Sequence, residues 1–328
     1  MFGLRGRRRM TPIVDIDDGA TQPALGPVVV WLSLAAMAII VAGIVGHVLK
    51  VREATYGGAL EQARVSTDLL SENAGRLLDT ADFLVDSARA RVAGRTWDAI
   101  AADRSLWQGL KADADRFEHV DAVWLNDLAG NLRLVTHAFP APVSNVLDRD
   151  FYRHFADGRD GPYISQPLVG RVTEEATFLL TRRLNGPDGK LRGIASVTLD
   201  PDFFADFLET FELPYGADMT LVREQGDVLV SDPPGGGAGA AAVAAAQARD
   251  VIGHGVLSGP ISDERVIGWV KRLDEWPLFA VVRFDRAVID DAWVDAVTPY
   301  AVIGSLALLS LLGLAGFAHA GERARRRG

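Results

Sequence analysis

Residues 177–201 read TFLLTRRLNGPDGKLRGIASVTLDP. Two runs, 177–184 and 191–199, are rich in apolar and β-branched side chains and flank Asn185-Gly-Pro-Asp-Gly189. That connector is a dense cluster of turn formers: glycine supplies positive φ, proline fixes its own φ, and Asn and Asp bond back to the local backbone. Two strands in a hairpin follow. Asp200 and Pro201 then mark a helix start, the carboxylate as N-cap and the proline in the first turn, where its missing N–H costs nothing. This helix should run to residue 211. A hairpin followed directly by a helix excludes an all-helical chain.

The same theme appears on both sides. Upstream, residues 120–126 alternate, and Asp127-Leu-Ala-Gly130 turns the chain into 132–136, a second hairpin. Residues 139–162 are irregular apart from a short helix expected at 150–156; an excursion of this length in a compact domain is often functional. Downstream, a shorter copy is expected: strands at 219–223 and 228–231 around a Gln225-Gly226-Asp227 turn, then 266–272 and 278–284. Between these hairpins, residues 233–248 are rich in glycine and alanine and read as a flexible insertion with up to two helical turns.

Helices dominate the remainder. Residues 52–92 hold no proline, and Leu70, Leu77, Ala81, Leu84, Ala88 and Val92 recur at helical spacing. The predicted amphipathic helix would rise about 60 Å. It either carries movement toward a membrane or simply packs on the domain. Gly57, Gly58 and Gly75 weaken it locally. A second helix is expected over 98–117. The fold class is α+β.

Two uncharged apolar stretches, 25–49 and 296–320, bracket all of this. Each would be about 37 Å long as a helix, and a bilayer core of about 30 Å needs only about 20 residues. The first is too long for the apolar core of a cleaved signal peptide. The second is apolar on every side apart from Thr298, Tyr300 and Ser310, so a buried core helix is the weaker alternative. Pro299 is placed to kink its start. Arg5, Arg7, Arg8 and Arg9 precede the first stretch and Arg323, Arg325, Arg326 and Arg327 follow the second. By the positive-inside rule both termini face the cytoplasm. The expectation is a two-pass protein of a bacterial inner membrane with a periplasmic central domain.

Residues 50–295 carry 26 basic and 39 acidic side chains, a formal charge of −13. Nucleic acid is disfavoured as a partner, because phosphate binding needs a basic footprint. The tail arginines suit anionic membrane lipid. The chain has no cysteine, which excludes disulfides, thiolate catalysis and cysteine-ligated metals. Its six histidines show no i, i+4 pair or carboxylate spacing typical of a metal site. Serines form no Gly-x-Ser-x-Gly elbow, and Gly235 to Gly237 lack the lysine of a phosphate loop. No catalytic site, metal or cofactor is expected.

Six segments together are more specific: Val123-Trp-Leu-Asn-Asp-Leu-Ala-Gly130, Asn145-Val-Leu-Asp-Arg-Asp-Phe-Tyr152, Tyr163-Ile-Ser-Gln-Pro167, Phe178-Leu-Leu-Thr-Arg-Arg-Leu184, Asp188-Gly189 and residues 193–201. They resemble the double Cache, or tandem PAS-like, sensor domains found ahead of bacterial diguanylate cyclases and sensor histidine kinases. The resemblance covers about residues 51–297 and is strongest over 119–232. It implies a membrane-distal lobe at 119–204 that binds a small ligand between its sheet and the overlying loops, and a proximal relay lobe at 205–285. A stalk and second helix at 50–118, a span at 25–49, a juxtamembrane segment with the second span at 286–320, and basic tails at 1–24 and 321–328 complete the layout. It also implies a homodimer along the stalk helix.

The chain departs from the family in its output. After residue 320 there is no cyclase signature, phospho-acceptor helix or coiled coil. It is therefore expected to be the input part of a longer receptor, or a sensor working through a cytoplasmic signalling partner. The rivals are a non-signalling membrane-anchored binding or scaffold protein and, more remotely, an extracytoplasmic enzyme.

Candidate ligand contacts lie on the excursion and the strand after it. Arg149 offers a planar fork for a carboxylate, and Tyr152 adds a hydroxyl and an apolar face. Arg149 could equally pair with Asp148 or Asp150 and pin the loop; Arg153 and His154 read as solvated or structural. Tyr163 and Ser165 border the same space. On strand 177–184, Phe178, Leu180 and Arg182 share one side, and Leu179, Thr181 and Arg183 the other. The pattern alone does not choose between them; the family resemblance favours Thr181 and Arg183 as pocket-facing. Organic acids and amino acids suit the arginines, and amines suit Asp148 or Asp150.

Overall fold

A computed structural model describes residues 25–172, 174–211, 213, 216–233, 258–262 and 265–325. The glycine- and alanine-rich stretch lies, but for Pro233, outside the described residues, as does the basic N-terminal tail. The chain divides into two compact units, Val51–Ala296 and a second made of Met1–Lys50 with Val297–Gly328.

Helix α1 (Leu25–Val92) runs unbroken through Gly57, Gly58 and Gly75. Ala63, Leu70, Ala74, Leu78, Ala81, Leu84, Ala88 and Val92 are buried along one face. Alternating small and large residues on that stripe lets sheets approach the helix closely while each leucine fills a gap between them. Gly94, at φ +71°, carries the chain out of the helix in a conformation that other residues rarely adopt. The helix expected over 98–117 is two helices, α2 (Trp97–Ala102) and α3 (Arg104–Ala114). Asp103 separates them because it is extended (ψ 96°) and its carboxylate accepts from the Leu106 N–H at 2.9 Å. A capping aspartate thus outweighs the continuing helical pattern.

Two antiparallel sheets follow. The first contains β1 (Val120–Asp127), β2 (Leu132–Val135), β3 (Tyr163–Ile164), β4 (Leu168–Val169), β5 (Ala176–Asn185) and β6 (Leu191–Leu199), in the order β2-β1-β6-β5-β3 with β4 also on β5. Helix α4 (Asp150–Ala156) lies in the excursion between β2 and β3, and α5 (Pro201–Glu209) leads out of β6 with Asp200 accepting from the Asp202 N–H. The second sheet contains β7 (Ala217–Arg223), β8 (Val228–Asp232), β9 (Ser258–Ser262), β10 (Val266–Arg272) and β11 (Leu278–Asp285), in the order β8-β7-β11-β10-β9. The two orders correspond strand for strand. Strands β3, β4 and β9 escape sequence reading, since two residues carry no alternation and β9 contains Gly259-Pro260.

One face of each sheet shares a core with α1. Val123, Leu125, Phe178, Leu180 and Val197 from the first sheet join Met219, Leu221, Val282 and Phe284 from the second. Each such side chain contributes roughly 1.5–3 kcal/mol by leaving water. Polar ties fix the register along the helix. Arg182 of β5 grips Asp82 with both Nε and Nη2, the latter at 2.7 Å. Lys271 reaches Asp68 at 3.0 Å, and the Trp276 indole donates to Asp79 at 3.1 Å. Arg192 donates to the Arg95 carbonyl at 2.6 Å and stacks over Trp97, closing the exit from α1.

Helix α6 (Arg286–Arg325) ends the described chain and continues through Pro299. Both end helices are long and apolar enough to cross a membrane. Trp31 is 73% exposed and Phe317 86%, and their apolar neighbours are similarly bare. Continuous apolar surface of this kind suits lipid rather than water.

Candidate functional site

The first sheet has a second face, turned away from α1 and covered by the long excursion. Alternation places Ala122, Trp124 and Asn126 of β1, Leu179, Thr181 and Arg183 of β5, and Ile194, Ser196 and Thr198 of β6 on it. A cavity lies there. Its floor is Trp124, Asn126, Thr177, Leu179 and Thr198. Its roof is Val146, Arg149 and Phe151 on one side and Leu168, Gly170 and Arg171 on the other. The volume is about 30 Å³, room for about two water molecules.

The floor carries unmet hydrogen-bonding capacity. Trp124 is 9% exposed and Thr198 3%, and neither Trp124 Nε1 nor Thr198 Oγ1 has a partner among the described residues. Burial without a partner costs about 1–3 kcal/mol per group. In the roof, Arg149 donates to the Val169 carbonyl at 2.9 Å. Arg171 pairs with Asp148 at 2.5 Å and also donates to the Asn145 carbonyl. The hydrogen bond from Arg171 holds the Asp148 carboxyl below its usual range. The cavity is thus lined by two arginines, a tryptophan and a threonine together with the apolar residues Leu179, Phe151 and Val146.

Of the residues anticipated as ligand contacts, Arg149 lines this cavity. Tyr152 is buried with Phe151, Phe155, Leu179 and Ile194, its hydroxyl donating to the Leu128 carbonyl and pushed up in pKa, chiefly by burial. Tyr163 stands at the sheet edge, where it donates to Asp150 at 2.9 Å and accepts from Arg223 at 2.8 Å. Ser165 accepts from the Leu179 N–H at 2.9 Å and donates to the Gln166 carbonyl at 2.8 Å, extending the edge where β3 stops. Thr181 is fully buried against Ser196 at 2.9 Å. Arg183 shares the loop-facing side with Leu179, but its Nε donates to Asn185. Thr181, Arg183, Tyr152, Tyr163 and Ser165 do not line the cavity.

Sequence reading missed Trp124, Asn126, Thr177, Thr198 and Arg171. The alternation of 120–126 contained the signal for the first two, because Trp124 and Asn126 sit opposite the plainly apolar Val123 and Leu125. Thr177 and Thr198 carried none, since threonine in a strand is ordinary. His154, on α4 beside the cavity roof, stacks on Tyr163 at 4.2 Å, and burial lowers its pKa. Among the described residues, no group of three or more acidic or histidine side chains is placed to hold a metal ion.

No protein-family model matches the sequence, and no curated protein matches it. Solved structures do. The extracellular domain of a putative histidine kinase aligns with a TM-score of 0.57 at 20% identity, over 70% of this chain and 95% of that one. The ligand-binding domain of the Pseudomonas fluorescens chemoreceptor CtaA, in complex with L-isoleucine, aligns at 0.51 and 15% identity, over 74% and 97%. That of the Campylobacter jejuni chemoreceptor Tlp3, in complex with L-valine, aligns at 0.50 and 10%, over 73% and 98%. The chain has the α+β, tandem PAS-like fold of these sensor domains, the double Cache architecture.

Proposed function

We propose that this chain is the membrane-anchored input module of a signal-transduction receptor, of the histidine kinase or diguanylate cyclase type, and that it binds a small ligand in the cavity of the first sheet. One observation carries the reading: Trp124 and Thr198, on the floor of a cavity roofed by Arg149 and Arg171, each bury a polar atom, Nε1 and Oγ1, that has no partner among the described residues. A ligand that supplies their partners recovers the cost of leaving them dry. Arg149, which donates to the Val169 carbonyl and forms no salt bridge among the described residues, favours a carboxylate, and Leu179 with Phe151 favours a short apolar chain. An amino acid or small organic acid fits, and two of the similar chemoreceptor domains hold L-isoleucine and L-valine. An amine is less favoured, because Asp148 is already paired with Arg171.

About 30 Å³ does not hold even a small amino acid. Binding therefore selects a form in which the excursion has lifted from the sheet, and the ligand shifts the balance only by its differential affinity for the two forms. Residues 119–204 bind and residues 205–285 relay. The arginine tails support a topology with both termini in the cytoplasm and the central domain in the periplasm. Val65, Leu69 and Phe83 lie exposed along α1 and offer a seam for a second copy. A cytoplasmic kinase or cyclase domain, in a longer form or a partner, supplies the output.

The test is thermal melting of the full chain in lipid nanodiscs against L-amino acids, organic acids and amines. Ligand at about 100 times its Kd should stabilise by about 2.7 kcal/mol, about 5–10 °C for a domain of this size. The shift should disappear in both Arg149→Ala and Arg171→Ala. A folded protein that responds to no compound, or variants that respond like the parent, would remove this reading.

A further inference from the structure

We propose that Arg223, although it belongs to the second sheet, is the positioning residue for the roof of the first-sheet cavity. Arg223 ends β7, and its side chain is 4% exposed. Within its own lobe, Nη1 donates to Asp227 Oδ2 at 2.6 Å across the β7–β8 turn. Toward the first lobe, Nη2 donates to the Tyr163 hydroxyl at 2.8 Å, with the guanidinium carbon 5.3 Å from the centre of that ring. The Tyr163 hydroxyl passes the chain on, donating to Asp150 Oδ2 at 2.9 Å. The same oxygen accepts from the Gln166 N–H at 2.8 Å and lies 3.7 Å from Arg223 Nη2.

Asp150 is the first residue of α4, and its sequence neighbours Arg149 and Phe151 are the ones that line the cavity. One turn later, His154 packs on the far part of the tether, its ring 30° from that of Tyr163. Helix α4 is thus held by a charge-assisted chain that starts in the other lobe. The position calls for arginine, because one planar fork serves Asp227, Tyr163 and Asp150 while its face contacts the Tyr163 ring; a lysine ammonium cannot do all of these at once. The tie is also not optional, since a guanidinium this buried requires its partners. Lifting the excursion to admit a ligand moves α4 and strains this chain, so the second lobe feels occupancy of the first. Ligand coupling through Arg223 presupposes the binding role proposed above; the tether itself does not.

Amide hydrogen exchange on the full chain in nanodiscs, with no ligand added, tests the tether. Arg223→Met should speed exchange of α4 amides such as Arg153 and Asp157 about tenfold, while β6 and β10 keep their protection. Arg223→Lys should restore part of the protection, because it keeps the charge near Asp150 without the fork. If Arg223→Met does not fold, Tyr163→Phe removes only the hydroxyl between the two charges and should speed α4 about threefold. Exchange in α4 that stays within about twofold of the parent, or a change confined to β7 and β8, would overturn the proposal. L-isoleucine added to the same samples separates the two ideas. Stronger protection of the cavity strands in Arg223→Lys than in the parent at the same subsaturating L-isoleucine concentration supports coupling, because a loosened tether lowers the cost of opening, whereas equal protection in both counts against it. If L-isoleucine protects neither protein, the binding reading loses support, and the tether is decided by the exchange data alone.

Discussion

Leu179 and Thr198 in the first sheet occupy the same rung as Gly268 and Arg283 in the second, and the two rungs are filled in opposite ways. In the first, Thr198 sits between Ala122 and Leu179, its hydroxyl without a partner among the described residues, and a cavity opens beside it. In the second, Arg283 sits between Asp218 and Gly268 and donates to the Asp218 carboxylate, which also accepts from Thr220 at 3.0 Å. Gly268 makes this possible: a Cβ there would lie 2.3 Å from the Val282 carbonyl oxygen and 3.1 Å from Arg283 Cγ. The second sheet pairs its own buried charge, although Arg283 Nε has no hydrogen-bond partner among the described residues, whereas the first sheet has no ion pair at this rung. One topology thus yields one lobe suited to a ligand and one closed by an internal ion pair.

The largest expected effect comes from unbalancing the closed rung. Asp218→Ala leaves the Arg283 guanidinium buried without its counter-charge and should cost about 3–5 kcal/mol. Thermal melting should then show a drop of about 6–20 °C; a drop under about 2 °C would mean that the pair does not hold this lobe closed. Next comes Gly268→Ala, which forces the strand away from Val282 and should cost about 1–3 kcal/mol in a denaturant titration. The open rung should behave in the reverse sense. Thr198→Val replaces an unpartnered buried hydroxyl by a methyl group and should leave stability unchanged or raise it by about 1 kcal/mol, while weakening any ligand found. Loss of stability in Thr198→Val would show that the hydroxyl is already satisfied and would erase the contrast.

A smaller effect separates the lobes by pH. Burial lowers the pKa of His119, which packs between Phe117 and Phe203, and of His154. In the unfolded chain both take up a proton near pH 6.5, and in the folded chain they resist it, so their contribution is full above about pH 6.5 and is lost as pH falls. His137 runs the other way. Its hydrogen bond to Asp121 raises its pKa, so it stabilises below about pH 6.5 and fades as pH rises through its folded value. All three belong to the first lobe, and the second sheet has no histidine among the described residues. Hydrogen exchange at pH 5 against pH 7.5 should therefore loosen α4, which carries His154, before β10 and β11, and His119→Phe should remove the part of the loss of stability on acidification that His119 contributes.

Legibility followed the range of the forces involved. The strand Leu191–Leu199 and the start of the helix Pro201–Glu209 sit where turn and capping residues place them, because those residues act on their own backbone. Asp103 was misjudged for the same kind of reason: its capping bond to Leu106 competes locally with a helical pattern that looks continuous. The cavity was only half visible. Arg149 stood out by its charge, whereas Thr198 and Thr177 matter through what fails to meet them, and nothing in a strand sequence records a missing partner.

The sequence by itself determined the α+β class, the hairpins, the two apolar helices and the division of β5 into two faces, since propensity, turn chemistry and alternation operate over a few residues. Only the tertiary structure decided what each face meets. Arg182 and Arg183 are chemically alike neighbours, yet one grips Asp82, 100 residues away, and the other bonds Asn185, two residues on. Arg223 reaches Tyr163 across 60 residues and two sheets. Burial and ion pairing depend on which surfaces the packed fold brings together, and that information lies in no local stretch of the chain.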